Sequence, residues 1–331
     1  MLRTADRVPV IPQVTYATAS WCGMSISEGL YNAEKMAEAL IIGYRKLDYD
    51  GIYVGWESSF NLMAEAMGCR LIKRGDNLPS VEKPIISEPK DLERVKVADP
   101  NRDGRLPMHL KALEIVRRRV GSEVPILRYV PGPFTLTCLL RGLRETMMDL
   151  LKRPDLTHSI LEYSTDSSLH FALEALKHGS DIIVVADPMA SPDIVSPETF
   201  SRIVKPYITR ILESVAKSGG IPSLHICGDT TKILEHMVKA KAKILELDYP
   251  VNLRYAKSKV GKQVCLEGNI DPVNIVLKGS PKQVINKCKE CIQDAGTDGG
   301  FILSTGCEAP PNTPIENIRA MVYTARKYGV Y

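Results

Sequence analysis

Among 331 residues there are five Phe and two Trp, and aromatic residues make up 6%. Eight cysteines are scattered along the chain, far too sparse for a disulfide scaffold, which suggests a reducing, cytoplasmic setting in which cysteines are inert, catalytic or metal-bound. Charge of neither sign dominates: 43 Lys+Arg stand against 39 Asp+Glu, a net charge of +4. That balance, with no basic stripe interleaved with aromatics, speaks against a nucleic-acid partner. The run Arg117, Arg118, Arg119 reads as a solvated helix face. No apolar stretch approaches the roughly 18 residues a membrane helix needs, and the opening MLRTADRVPVIPQ has no signal-peptide apolar region. Neither GxGxxG nor GxxxxGK occurs, which removes the usual signatures of dinucleotide and P-loop phosphate binding.

What is present is a repeating alternation. Apolar runs rich in Ile, Val and Leu occur at 8–14, 51–55, 125–130, 181–187, 222–227, 243–248, 263–269 and 300–304. They are continuous rather than alternating, as strands covered on both faces must be. Between them lie amphipathic segments with helix-start signals. Ser196-Pro197-Glu198-Thr199 offers a Ser cap and Pro in the first turn, while Ser280-Pro281-Lys282-Gln283 and Thr313-Pro314-Ile315-Glu316 read as capping boxes. Eight strands alternating with helices predict an α/β fold: a single eight-stranded parallel β/α (TIM) barrel over residues 1–331. Residues 69–107, proline-rich and charged, read as an elaborated connection, a hairpin plus loop.

The strand ends carry the chemistry. Five successive runs end in Asp187-Pro188, His225-Ile226-Cys227-Gly228-Asp229, Asp248, Asn269-Ile270-Asp271 and Thr305-Gly306-Cys307-Glu308. In a barrel those ends converge on one mouth, where active sites sit. Asp, Asn and Gly also serve turns, but turns do not call for His and Cys. His225 and Cys227, two apart on a strand, share a face. With Cys307 they would make a three-ligand site of one imidazole and two thiolates, suited to Zn2+ and open at a fourth position. Spacing alone also allows the blander reading of a core histidine and two small hydrophobes. Cys288 and Cys291 form a CxxC in a helical stretch and read as incidental. Cys22, Cys69, Cys138 and Cys265 lack partners, and the other histidines fall in helical segments.

HICGDTTKILEHM at 225–237, LEGNIDP at 266–272 and GFILSTGCEAPPNTPIENIRAMVYTAR at 300–326 resemble the uroporphyrinogen decarboxylase superfamily, and within it the methylcobamide:coenzyme M methyltransferase branch. DRVPVIP at 6–12 and GSDIIVVADPMASPDIVSPETF at 179–200 agree. The resemblance implies the barrel fold, a catalytic zinc held by His225, Cys227 and Cys307, and an acidic fourth ligand or catalytic group at Asp248. Asp187 and Asn269 are expected at the mouth as substrate-binding or ligand-orienting residues. The implied reaction moves a methyl group between a methylated corrinoid, free methylcobalamin or one carried by a corrinoid protein, and a thiol such as coenzyme M. A different thiol acceptor and a uroporphyrinogen decarboxylase-like lyase are the alternatives. Decarboxylases of the superfamily carry an arginine-bearing RQAGR-type loop after the first strand. This chain has Pro12-Gln13-Val14-Thr15-Tyr16-Ala17-Thr18 there, which points away from porphyrin decarboxylation.

Overall fold

A computed structural model describes residues 5–56, 60–73 and 75–331. Its frame is a curled, wholly parallel sheet of seven strands: β1 (Ile52–Tyr53), β4 (Ile126–Pro131), β5 (Ile182–Ala186), β6 (Ile221–Ile226), β7 (Ile244–Leu247), β8 (Cys265–Ile270) and β9 (Phe301–Thr305), hydrogen-bonded in that order. β2 (Leu71–Ile72) and β3 (Ser80–Val81) form a separate antiparallel hairpin inside the connection 69–107, as the sequence predicts. Sequential parallel strands need crossovers, and each is supplied by helices. Of the β-strand residues from β4 to β9, nearly all are buried, which is why the runs are apolar without alternation.

Seven of the eight expected strands form. The eighth, 8–14, does not become one. Pro9 and Pro12 have no N–H to give to a ladder, so the segment makes only an isolated parallel bridge between Val10 and Leu303. It is nevertheless held from both sides. Ile11 N donates to Leu303 O at 3.0 Å, Leu303 N to Pro9 O at 2.8 Å, and Asp50 N, just before β1, to Val10 O at 2.8 Å.

Two apolar layers result. Ile11, Tyr53, Leu127, Tyr129, Ile182, Val184, Ala186 and Ile244 pack inside the curl, and a much larger cluster fills the space between sheet and helices. The helix starts explain their own boundaries. Ser280 caps Pro281–Ala295 in a full capping box with Gln283, and Ser196 accepts from Thr199 N. The expected box at Thr313 is absent. Pro314 is the cap of Ile315–Tyr328, Thr313 Oγ1 finds no partner, and its carbonyl accepts from Trp21 Nε1. The residue before a proline is driven to extended backbone, so the helix starts after Pro314. No helix among the described residues is long and apolar enough to cross a membrane.

Candidate metal centre

His225 is the fifth residue of β6 and Cys227 follows the strand by one residue, so the two-residue period turns both side chains the same way. Cys307 stands two residues beyond β9. The curl of the sheet brings these ends together. His225 Nε2 lies 3.1 Å from Cys227 Sγ, and Cys227 Sγ lies 3.9 Å from Cys307 Sγ. All three potential ligand atoms fall within 4.8 Å of one another, the one such group of three among the described residues. Tetrahedral bonds of about 2.0 Å to nitrogen and about 2.3 Å to sulfur would set two sulfurs about 3.8 Å apart and nitrogen about 3.5 Å from sulfur. The observed spacings fit that geometry.

The imidazole is oriented from behind. Its Nδ1 lies 3.3 Å from the backbone carbonyl of Glu246, which can only accept, so Nδ1 keeps its proton and Nε2 is the nitrogen that a metal ion would meet, beside the sulfurs. The surroundings are strongly acidic. Burial disfavours a charged imidazole, yet Cys307, then Glu246 and Asp248, outweigh it and push His225 up to about 9.

Beneath the histidine lies a buried polar cluster that the sequence reading did not single out. Glu246 and Glu267 are register partners on β7 and β8. Tyr53 Oη sits 2.9 Å from Glu246 Oε1 and 2.7 Å from Glu267 Oε1, Tyr129 Oη donates to Glu246 Oε2 at 3.1 Å, and Ser223 Oγ to Glu246 Oε1 at 3.3 Å. A phenol has one proton to give, so one of the two Tyr53 contacts has a carboxyl group as donor and the pair retains a proton. Burial, then Glu246, holds Glu267 well above the usual carboxylate range, consistent with Glu267 as its holder. The Tyr53 and Tyr129 rings stack with centroids 5.0 Å apart. An acid inside an apolar strand run was the available signal for this cluster.

The three other expected site residues are engaged by the backbone around the centre. Asp248 Oδ2 accepts from Gly228 N at 2.8 Å and Oδ1 from Tyr249 N at 2.7 Å, so it ties the turn after Cys227 to the end of β7. Asp187 is fully buried. Its carboxylate accepts from Phe134 N, Thr135 N and Thr135 Oγ1 at 3.1, 2.7 and 2.6 Å, capping the start of the helix Pro133–Arg141. Burial pushes Asp187 up to about 6 against those hydrogen bonds. Asn269 Nδ2 donates to the carbonyls of Asp248 and Val251 at 3.1 and 2.7 Å. The polar groups of Asp187 and Asn269 are thus occupied in holding the rim of the sheet. Cys288 and Cys291 are buried in the helix Pro281–Ala295 and do not belong to the three-residue group; Cys291 Sγ lies 3.9 Å from Asn269 Oδ1.

The segment after the proline-broken stretch completes the surroundings. Gln13 N donates to Thr305 Oγ1 at 3.2 Å, Ala309 N to Gln13 O at 2.8 Å, and Thr15 N and Oγ1 to Glu308 Oε1 at 2.7 and 2.9 Å. These bonds lace 13–15 along 305–309 on both sides of Cys307.

The uroporphyrinogen decarboxylase (URO-D) family profile matches residues 3–328. The chain belongs to that family. The methylcobamide:CoM methyltransferase MtaA of Methanosarcina barkeri is 32% identical over 309 residues, covering 92% of this chain and 88% of that protein. A uroporphyrinogen decarboxylase of Carboxydothermus hydrogenoformans is 26% identical over 296 residues, covering 87% and 81%. A solved methyltransferase from Methanosarcina mazei superposes with a TM-score of 0.90 at 28% identity, covering 98% of this chain and 95% of that one. These likenesses place this member of the family among its methyltransferases.

Proposed function

We propose that the protein transfers a methyl group between a methylated corrinoid, free or carried by a partner protein, and a small thiol such as coenzyme M, with zinc held by His225, Cys227 and Cys307. The observation that carries this reading is the convergence of one imidazole and two thiols within 4.8 Å. We also read residues 1–331 as one domain whose segment 9–11 closes the curl into an eight-stave barrel, and the cell's reducing cytoplasm as its setting.

Zinc bound there would supply deprotonation of the incoming thiol at neutral pH, where a free thiol is mostly protonated. The chain's residues supply the rest. Cys227 and Cys307, as thiolates, neutralise the ion's two charges, which keeps a substrate sulfur electron-rich. His225 is fixed in the ligating tautomer by the Glu246 carbonyl. Asp248 is the reserve carboxylate: to ligate, it would release Gly228 N or Tyr249 N, and a substrate thiolate could replace it with no change in site charge. Asp187 and Asn269 act by holding strand ends in place. In the transfer the cobalt–carbon bond breaks with its electron pair left on cobalt, a carbon–sulfur bond forms from the thiolate pair, and the thiol proton passes to solvent.

The test is a spectrophotometric assay of methylcobalamin demethylation with a panel of thiols. The reading expects turnover with at least one thiol, its loss on chelation and its return with zinc. Full-speed turnover by metal-stripped protein would sink it. Zinc-edge spectroscopy of the wild type and Asp248→Ala, with and without thiol, tests the carboxylate exchange; an identical coordination shell throughout removes it.

A further inference from the structure

Cys227 and Cys307 combine two properties that the other six cysteines do not. Both are partly exposed, and their sulfurs lie 3.9 Å apart. Cys69, Cys138, Cys288 and Cys291 are buried. Cys22 and Cys265 are partly exposed, but their sulfurs meet backbone carbonyls, Ala39 O at 3.9 Å and Leu266 O at 3.8 Å. A disulfide measures about 2.05 Å between sulfurs. From 3.9 Å the gap left to close is about 1.9 Å, shared by two side chains. Rotation about each Cα–Cβ bond supplies that motion without moving the backbone. The two sulfurs come from strand ends separated by β7 and β8 in the sheet order, so the curl that assembles the metal centre also assembles a cysteine pair that solvent reaches. Metals are held by thiolates, and a disulfide has none to offer. Cross-linking and metal binding therefore exclude each other.

We propose that Cys227 and Cys307 form a reversible disulfide on exposure to peroxide, expelling the metal ion, so that the centre doubles as a redox-modification site. The expulsion rests on the zinc reading above; the cross-link rests on the two sulfurs alone. One thiolate attacks a peroxide oxygen, the O–O bond breaks, the sulfur becomes a sulfenic acid and hydroxide leaves. The second thiolate attacks that sulfur, the S–S bond forms, the S–O bond breaks and a second hydroxide leaves. The two sulfurs give up two electrons, the peroxide takes them, and two protons from solvent convert both hydroxides to water. A small thiol reverses the step. Its thiolate attacks the disulfide to give a mixed disulfide, and a second thiolate resolves it. Two small thiols become one small disulfide, and both cysteines return as ligands. The acceptor thiol proposed above has the chemistry to be that reductant, so the substrate also keeps its own site in the reduced, metal-binding form.

The experiment treats zinc-loaded wild-type protein with hydrogen peroxide and follows zinc release with a chromophoric chelator, free thiols by alkylation and intact mass, and cross-links by peptide mapping without reductant. The chain should lose two of its eight thiols, yield a peptide joined through Cys227 and Cys307, and release one zinc per cross-link. Adding 2-mercaptoethanesulfonate should restore both thiols and zinc binding. Cys288→Ser should lose the same two thiols as wild type. Sulfinic or sulfonic acid on Cys227 or Cys307 without the cross-link overturns the proposal, as does a cross-link from either to another cysteine. A second measurement treats zinc-free protein with oxidised glutathione. The neighbouring thiol should displace glutathione and leave the same cross-link, and a glutathione adduct that persists on either residue also overturns it. The two readings fail separately. Protein that never retains zinc yet forms the cross-link refutes the zinc reading and leaves the cysteine pair standing, whereas protein that retains zinc and never cross-links refutes the pair alone.

Discussion

Gly306 lies between the end of β9 and Cys307, and it offers a sharp test of how tightly that ligand is placed. A Cβ added at Gly306 would stand 2.5 Å from Tyr249 N, 3.0 Å from Asp248 Oδ1 and 3.1 Å from Asp248 C, whereas ordinary contact begins at 3.4 Å. The shortfall of about 0.9 Å is against backbone, so no side-chain rotation relieves it. Tyr249 N is itself bonded to Asp248 Oδ1 at 2.7 Å, and Gly306 N to Ile270 O at 2.8 Å. Gly306→Ala must therefore displace the 305–307 turn or break the Asp248 bonds. Overpacking of this kind costs about 1–3 kcal/mol.

The metal should feel it more than the fold does. Ligand distances tolerate only about 0.2 Å of change, a fraction of the required shift. Zinc affinity of Gly306→Ala, read by chelator competition on folded protein, should fall about 10–100-fold, the range seen when groups that orient ligands are disturbed. The rise in melting temperature on adding excess zinc should shrink accordingly, since that rise follows the logarithm of ligand concentration over Kd. A Gly306→Ala protein with wild-type zinc affinity and an unchanged melting temperature would refute the reasoning, because Cys307 would then have freedom the packing denies it.

Further expectations follow from the same geometry. Cys227→Ser and Cys307→Ser should each lose zinc by elemental analysis and activity with methylcobalamin, while Cys288→Ser keeps both; the reverse pattern would mean the ligands are misassigned. Hydrogen bonding with Cys227, together with burial, holds the Cys307 thiol well above its usual range, so metal binding must expel a proton. Zinc affinity should consequently fall as pH falls, about tenfold per pH unit for each proton released, and weakly buffered protein should acidify on adding zinc; no acidification would count against thiolate ligation. Asn269→Ala strands two carbonyls at a cost of about 1–3 kcal/mol each, so the melting temperature should drop by several degrees with KM little changed, whereas a substrate-binding Asn269 would show the opposite split. In native protein Cys288 and Cys291, at 0% and 2% exposure and with their thiols pushed up by burial, should resist maleimide labelling; modification of either before unfolding would show that their helix opens.

The strand–helix alternation was legible because strands covered on both faces need continuous apolar runs, and seven such runs became strands. Segment 8–14 has the same apolar character, but two missing N–H donors decide against a ladder, a backbone fact that hydropathy does not weigh. The pairing of His225 with Cys227 follows from strand periodicity. Cys307, eighty residues away in sequence, was reachable only by asking where strand ends converge and by the motif resemblance. Asp187 looked like a mouth residue because an acid at a strand end serves a cap and a substrate equally well in one dimension. Its true partner, Thr135, lies 52 residues back. Glu246 and Glu267 were each visible only as an acid inside an apolar run; that they pair was not legible, since the pair exists only once β7 and β8 adopt their register.

The segment 12–18 shows how one frame keeps two chemistries apart. An arginine in this segment, as the resemblance ascribes to decarboxylases, would bring a guanidinium beside the His225–Cys307 centre, because residues 13–15 are bonded to 305–309. A guanidinium there would repel a divalent ion and would pair with the acids that make His225 so easily charged. This chain places Gln13, Thr15 and Tyr16 in the segment instead. Gln13 Nε2 approaches Glu246 Oε2 at 3.5 Å and Thr15 engages Glu308, so both acids are met by neutral groups. If His225, Cys227 and Cys307 hold a metal ion as proposed, neutral donors in segment 12–18 leave their surroundings without a competing fixed positive charge.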